Sequence, residues 1–291
     1  MARSAPRYLQ DHRQRELIHI FDQVCRRHNR WTVWADFVVM AAISISNTVD
    51  KGHAEDRTKA YMTLASKYDQ AELECLTSMF AEVVNGLDEN PDQDFLGELF
   101  MALNLGNEHN GQFFTPYNVC KMTAKMTYGK DLEMKIAQKG WVSVYDPACG
   151  AGALLVAFAN ECRLQNLNYQ TSVLFVAQDI DYIVGCMCYI QLSLLGCPGY
   201  VVIADSLANP CAGMDQNPLL PVPGDNIWYT PMYFRDVWHY RRLWQVVERV
   251  VRPTPMPTEP QDTSIAEAAE TAEYPEPQPL NETQAGQLTF F

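Results

Sequence analysis

The sequence has 291 residues, 47% hydrophobic and 20% charged, enough apolar material for a sizeable core in one or two domains. A formal charge of −13 excludes a histone-like nucleic-acid coat, which needs dense positive charge, but leaves DNA open as the substrate of a locally basic surface. The nine cysteines are odd in number and scattered through apolar segments, which points to a reducing, cytoplasmic setting rather than a disulfide framework.

The first residues lack an apolar signal-peptide core. The longest apolar stretch runs from Val33 to Ile45 and carries Asp36. It is shorter than the roughly 18–20 residues that cross a bilayer, so a buried helix is expected and no membrane association. Over residues 1–108 apolar side chains recur at three- and four-residue spacing (Leu17, Ile20, Phe21, Val24; Leu73, Leu76, Phe80, Val83, Val84), which predicts a helical domain. Breaks are expected at Asp50-Lys-Gly and Asn90-Pro91.

The texture changes over residues 109–251. Trp141–Tyr145, Val173–Ala177 and Tyr200–Ala204 read as strands, each leading to an acid: Asp146, Asp179 and Asp205. Helix-compatible stretches at 152–165 and 182–196 separate them. The alternation predicts an α/β domain with a parallel sheet and crossover helices, which binds ligands at the carboxyl ends of its strands. Residues 235–251 read as one amphipathic helix. From 253 on there are seven acids, no Lys or Arg, and seven of the 17 prolines, so a disordered tail is expected over 252–291. Seven arginines in residues 1–30, and Arg235, Arg241, Arg242, Arg249 and Arg252, are solvated helix faces or contacts to a DNA backbone.

The strongest chemical signal is Asp146-Pro-Ala-Cys-Gly-Ala-Gly-Ala-Leu-Leu155, in which a strand ends in an acid and a glycine loop opens a helix. Gly150 and Gly152 permit turns and close approach of a ligand, and the loop amides favour a carboxylate or phosphate. Asp179 at the end of the next strand suits a pair of ribose hydroxyls. The Cys186-x-Cys188 pair lacks zinc-ligand spacing and sits on an apolar helix pattern, so no metal site is expected.

The DPACGAG loop resembles the S-adenosylmethionine motif of N6-adenine DNA methyltransferases, in particular the modification subunits of type I restriction–modification systems. Gly111-Gln-Phe-Phe-Thr-Pro116, 30 residues ahead of Asp146, resembles that family's GQ(F/Y)(F/Y)TP motif, and Asp94–Leu99 resembles part of its helical leader. The resemblance implies a helical domain followed by a Rossmann-like methyltransferase domain. It implies that Phe113, Phe114, Thr115 and Pro116 wrap the methionine end of S-adenosylmethionine and that Asp146, Ala148, Gly150 and Gly152 form the cofactor loop. It further implies that Asp179 takes the ribose, Ile180 packs on the adenine ring and Asp205 meets the adenine amino group.

The family's catalytic motif, (N/D)PP(Y/F), follows the fourth strand, and no intact copy exists here. Asn217-Pro-Leu-Leu220 keeps the Asn but lacks the aromatic. Thr230-Pro-Met-Tyr233 keeps Pro231 and Tyr233, follows a strand-like Asn226–Tyr229 and lies 25 residues after Asp205. The second is the preferred candidate, with Thr230 and Pro231 holding the target amino group and Tyr233 stacking on a flipped adenine. After Tyr233 too few residues remain ahead of the tail for the three further strands of a full sheet, which is therefore expected to be truncated, with an open edge that a partner subunit could cover.

At the other end of the tail, Gln287-Leu-Thr-Phe-Phe291 resembles the short peptide that docks on the bacterial sliding clamp, which implies a partner-binding role for Gln287, Leu288, Phe290 and Phe291. The favoured expectation is an S-adenosylmethionine-dependent adenine-N6 DNA methyltransferase of restriction–modification type, carried by a mobile element. The alternative is a catalytically weak or inactive cofactor-binding adaptor tethered to the clamp.

Overall fold

The computed structural model describes residues 9, 11–105, 114–211, 217–222, 224, 226–251 and 287–289. Five helices open the chain: α1 (His12–Val24), α2 (Arg30–Val49), α3 (Ala54–Ala65), α4 (Gln70–Glu89) and α5 (Phe95–Ala102). Side-chain oxygens of Asp11, Asn29, Asp69 and Asp94 cap four of them, and Asp69 with Glu72 forms a reciprocal capping box. The breaks expected at Asp50 and Asn90 fall where α2 and α4 end.

Helix α2 is 20 residues long, the one helix among the described residues long and apolar enough to cross a membrane. Here it is a core helix: Trp34, Phe37, Val38, Ala42 and Ile43 are buried, and its flanks meet α3 and α10 (Tyr182–Leu194). Asp36, the acid that interrupts the apolar run, accepts from Lys67 Nζ at 3.0 Å and Tyr68 Oη at 2.9 Å. Three of the amino-terminal arginines form ion pairs within the helical region. Arg13 pairs with Glu82 and Glu89, Arg27 with Asp69 and Glu72, and Arg30 with Asp22.

Two helices that the sequence reading did not anticipate follow, α6 (Tyr117–Thr127) and α7 (Lys130–Lys139). Then come β1 (Val142–Asp146), α8 (Ala153–Leu164), the short α9 (Tyr169–Ser172), β2 (Val173–Asp179), α10 and β3 (Gly199–Ile203). The chain continues into β4 (Ile227–Tyr229), a 3-10 turn at Pro231–Phe234 and α11 (Asp236–Val251), and β5 (Gln287–Thr289) is the last described element. The sheet order is β4-β3-β2-β1-β5. Strands β1, β2, β3 and β5 run parallel, and β4 runs antiparallel to β3, with Tyr200, Val201 and Val202 opposite Tyr229, Trp228 and Ile227.

The sheet is therefore mixed where a parallel one was expected. A parallel neighbour needs a crossover of a dozen or more residues, usually a helix. The stretch between β3 and β4 is rich in Asn, Pro and Gly (Asn209, Pro210, Gly213, Asn217, Pro218, Pro221, Pro223, Gly224), which is poor helix material. The chain comes back along β3 instead.

Alternation along the strands divides the core. Val173, Phe175 and Ala177 join the large cluster shared with the helices, whereas Leu174 and Val176 face a smaller one with Tyr145, Tyr200, Ile227, Tyr233 and Trp238. Arg57 of α3 fastens the outer strand. Its guanidinium donates to Asp50 Oδ2 at 2.9 Å and to the Ile227 carbonyl at 2.8 Å, and lies 3.9 Å over the Trp228 ring.

Candidate cofactor site

The carboxyl ends of β1 and β2 hold the glycine loop between them. Asp146 closes β1 and accepts from the Ala148 amide through Oδ1 at 3.1 Å. The loop turns at Gly150 (φ 54°) and Gly152 (φ 95°), both in the left-handed region where a side chain is strained. At Gly152 a Cβ would also meet Cys188 Sγ at 2.8 Å, so the helix that follows packs on α10 only with glycine there. Asp179, at the end of β2, accepts from the Gly150 amide at 2.8 Å and from the Asp181 amide at 2.9 Å.

Phe114 meets this loop from the other side. Its Cδ1 lies 3.4 Å from where a Cβ on Gly150 would stand, and its ring stacks on Phe100 at 5.3 Å. The structure thus brings Phe114 of the first motif against Gly150 of the second. Thr115 and Pro116 are exposed, and Pro116 begins α6 by accepting from the Val119 amide. Phe113 lies outside the described residues. A cavity of about 390 Å³ opens beside Phe114 and the start of α6, lined by Asp94, Gly97, Glu98, Thr115, Pro116 and Tyr117 among others, with no residue of the Asp146–Gly152 loop in its lining.

Two residues of this site escaped the sequence reading. Asp94 was noted only within the leader motif. It is buried, accepts from the Gly97 amide and from Gln191 Nε2 at 2.8 Å, and burial pushes its carboxyl up to about 6. Gln191 on α10 is fully buried; it also donates to the Ala151 carbonyl at 2.8 Å and accepts from the Leu96 amide. One amide side chain therefore joins the first helical turn of α5 to the glycine loop. A polar residue inside the apolar run Tyr182–Leu194 was the available signal.

The donor set fits a ligand that carries positive charge. Asp146 is wholly buried, its Oδ2 has no hydrogen-bond partner, and burial pushes its carboxyl up to about 7. Burial raises Asp179 as well. An orphaned buried oxygen costs free energy unless a donor meets it. A cationic group seated there would supply that donor and favour the charged carboxylate. Beyond β2, Ile180 is 70% exposed, an apolar side chain with an open face at the site's rim. Ala148 is exposed on the loop. Asp205 is exposed beyond β3 and accepts from the Leu207 and Ala208 amides.

The expected catalytic stretch is elsewhere. Thr230 is fully buried at the opposite end of the sheet, where its hydroxyl donates to the Cys197 carbonyl at 2.7 Å and accepts from the Gly199 amide at 3.0 Å. Gly199 begins β3, so these contacts lie at the amino end of that strand. Pro231 starts the 3-10 turn. Tyr233 is buried against Tyr229 and Tyr200, donates to the Leu219 carbonyl at 3.0 Å and carries the Arg242 guanidinium 4.0 Å over its ring. The structure thus places Thr230, Pro231 and Tyr233 at the amino end of β3, away from the glycine loop. The strand ahead of them pairs antiparallel with the outer side of β3, so its end points away from the glycine loop. Asn217, the other candidate, donates to Gln245 and accepts from the Leu219 amide.

A parallel βαβαβ core with a glycine loop at the end of its first strand defines the class, an α/β protein with a ligand crevice at the carboxyl ends. The family follows from the sequence match: residues 94–245 match the N-6 DNA methylase family, and the chain belongs to it. Among solved structures it is similar to a Listeria monocytogenes protein described as a class I S-adenosylmethionine-dependent methyltransferase, with 18% identity and a TM-score of 0.39 over 68% of this chain and 55% of that one. It is also similar to a type I restriction–modification methyltransferase subunit from Streptococcus thermophilus, with 15% identity and a TM-score of 0.38 over 73% of this chain and 47% of that one. The chain spans about half the length of each. No curated protein matches it.

Proposed function

We propose that this chain binds S-adenosylmethionine at the Asp146–Gly152 loop and serves methylation of the adenine amino group in DNA. The observation that carries the reading is the unpartnered, buried Asp146 oxygen beneath a glycine loop capped by Phe114, within a chain of the N-6 DNA methylase family. Asp146 and Asp94 would hold the cationic methionine end and Phe114, Thr115 and Pro116 would wall it. Asp179 would take the ribose, Ile180 the adenine ring and Asp205 the adenine amino group. When bound, the cofactor supplies an electrophilic methyl on a sulfonium. The residues of this chain bind and orient it and exclude water from its charged end. Nucleoside mass spectrometry on DNA from cells expressing the chain, beside an Asp146→Ala control, tests the reading. N6-methyladenine above the control supports it, and equal levels count against it.

A second reading is a cofactor-binding module that depends on another polypeptide for the groups that hold the base. It is favoured by the placement of Thr230–Tyr233 at the far end of the sheet from the loop. In that case the purified chain binds cofactor but transfers no methyl group unless the partner is added. A type I specificity subunit is one form of such a partner. The clamp-like residues Gln287 and Leu288 pair with β1 in the structure, while Phe290 and Phe291 lie outside the described residues. Docking on a sliding clamp would first require Gln287–Thr289 to leave the sheet. Co-purification of the clamp with the whole chain, lost on deleting 287–291, tests that role.

A further inference from the structure

Gln178 is the penultimate residue of β2, fully buried, one place ahead of the carboxylate that holds the glycine loop. Its side-chain amide meets four partners. Oε1 accepts from Tyr145 Oη at 2.8 Å and from the Cys211 amide at 2.9 Å, while Nε2 donates to the Asn209 carbonyl at 2.8 Å and to the Ala204 carbonyl at 3.3 Å. A main-chain amide only donates and a main-chain carbonyl only accepts, so these contacts fix which way the side chain points, and both of its N–H donors are used. The main-chain carbonyl of Gln178 accepts from the Cys149 amide at 2.9 Å. One residue thus grips the glycine loop by its main chain and residues 204–211 by its side chain.

Residues 204–211 follow β3 and carry Asp205. The Ala204 amide extends the ladder by donating to the Asp179 carbonyl at 2.9 Å. Beyond it the turn closes on itself: the Asn209 amide donates to the Asp205 carbonyl, and Asp205 Oδ1 accepts from the Leu207 and Ala208 amides at 2.8 Å and 3.2 Å. Those bonds shape the turn without fastening it to the sheet. Towards β4 the segment borders a cavity of about 510 Å³, lined by Val202, Ala204, Asn209, Cys211, Val222 and Ile227 among others. With a cavity on that side, the contacts from Gln178 to Asn209 and Cys211 set where the turn stands over the strand ends. Asp205 itself is exposed. An ionised carboxylate accepts hydrogen bonds and donates none, so it favours a nucleobase that presents an N–H donor.

We propose that Gln178 is the positioning residue of this crevice: through Ala204, Asn209 and Cys211 it holds Asp205 where the carboxylate selects a nucleoside whose base carries an exocyclic amino group. This role rests on the cofactor reading above and adds to it the side chain that makes the site discriminate among nucleosides. Gln178 touches no ligand in it. It acts by fixing the distance between the glycine loop, held by its main chain, and the turn that carries Asp205. A misplacement of about 1 Å at such a wall is enough to lose the directional contact to the base.

The test is isothermal titration of the full chain and of Gln178→Met at pH 8. The two ligands are S-adenosylhomocysteine and its analogue with hydrogen in place of the 6-amino group. Methionine keeps the length of the side chain and lacks the amide. The parent should prefer S-adenosylhomocysteine by roughly tenfold, the order of one hydrogen bond to a charged group. Gln178→Met should bind the analogue within about threefold of the parent, and its preference for the amino ligand should fall below about threefold. A role confined to stability lowers the folded fraction and leaves the ratio of the two affinities alone. An unchanged ratio in the folded variant therefore overturns the proposal, as does equal affinity of the parent for the two ligands. Binding of neither ligand by the folded parent overturns the cofactor reading itself, and this role with it. Gln178→Asn, whose amide sits on a stem one methylene shorter, carries the same test if Gln178→Met does not fold.

Discussion

The Asp179 carboxylate accepts a hydrogen bond from the Gly150 amide at 2.8 Å, so the acid that ends β2 holds the loop that follows β1. The same carboxylate receives the Asp181 amide and thereby fixes the turn into α10. Replacing Asp179 with Ala removes both acceptors and frees the loop. Calorimetry with S-adenosylhomocysteine should show affinity reduced by about tenfold or more, the order expected when hydrogen bonds to a charged group are lost. Unchanged affinity would contradict both the hold of Asp179 on the loop and its contact with the ribose.

Thr230 behaves in this account as a structural hydroxyl. Thr230→Val keeps the shape and leaves the Cys197 carbonyl and the Gly199 amide each short of a partner. The cost is about 1–3 kcal/mol. Thermal unfolding should show the lower stability, while cofactor affinity and methylation per folded molecule stay at the parent level. Loss of methylation with full stability would return Thr230 to the reaction.

Asp146 sets function against stability. Burial raises its carboxyl to about 7, against a usual value of about 4. Between those limits the folded chain keeps a proton that the unfolded chain has lost, so stability falls as pH rises through the window. Asp146→Asn should therefore unfold several degrees higher than the parent at pH 8 and lose that advantage near pH 4. It should also lose cofactor affinity. In the parent, affinity for a cationic ligand should be roughly tenfold weaker at pH 6 than at pH 8, because the ionised carboxylate is scarce below 7.

Arg57 joins the helical leader to the sheet. Arg57→Met would keep packing near Trp228 but leave Asp50 buried without its guanidinium and the Ile227 carbonyl without a donor. Breaking a buried pair by removing one partner costs about 3–5 kcal/mol. Thermal denaturation should show that loss, and Asp50→Asn in the same chain should recover part of it.

Much of this architecture is legible in the sequence because periodicity and burial agree. The apolar spacing in residues 12–102 forms helices, and the three runs ending in acids form β1, β2 and β3. The strand, acid and glycine pattern of the loop is legible locally, and the structure sets Phe114 and Asp179 against Gly150. What the sequence hid is pairing partner and direction. Ile227–Tyr229 reads as a strand, but nothing local says that it returns antiparallel along β3, and that choice carries Thr230 away from the loop. Gln287–Thr289 reads as a peptide for another protein, and only the sheet shows that β1 takes it. Gln191 sits in an apolar helix pattern, and its bridge from Asp94 to Ala151 depends on three segments meeting.

The central claim is that the Asp146 loop seats a cationic nucleoside cofactor. Isothermal titration of the purified full chain with S-adenosylmethionine at pH 8, beside Asp146→Ala, tests it most directly. The account predicts one site per chain with a dissociation constant in the micromolar range, and no measurable heat in the variant. No heat from the folded parent, or equal affinity in the two proteins, would contradict it.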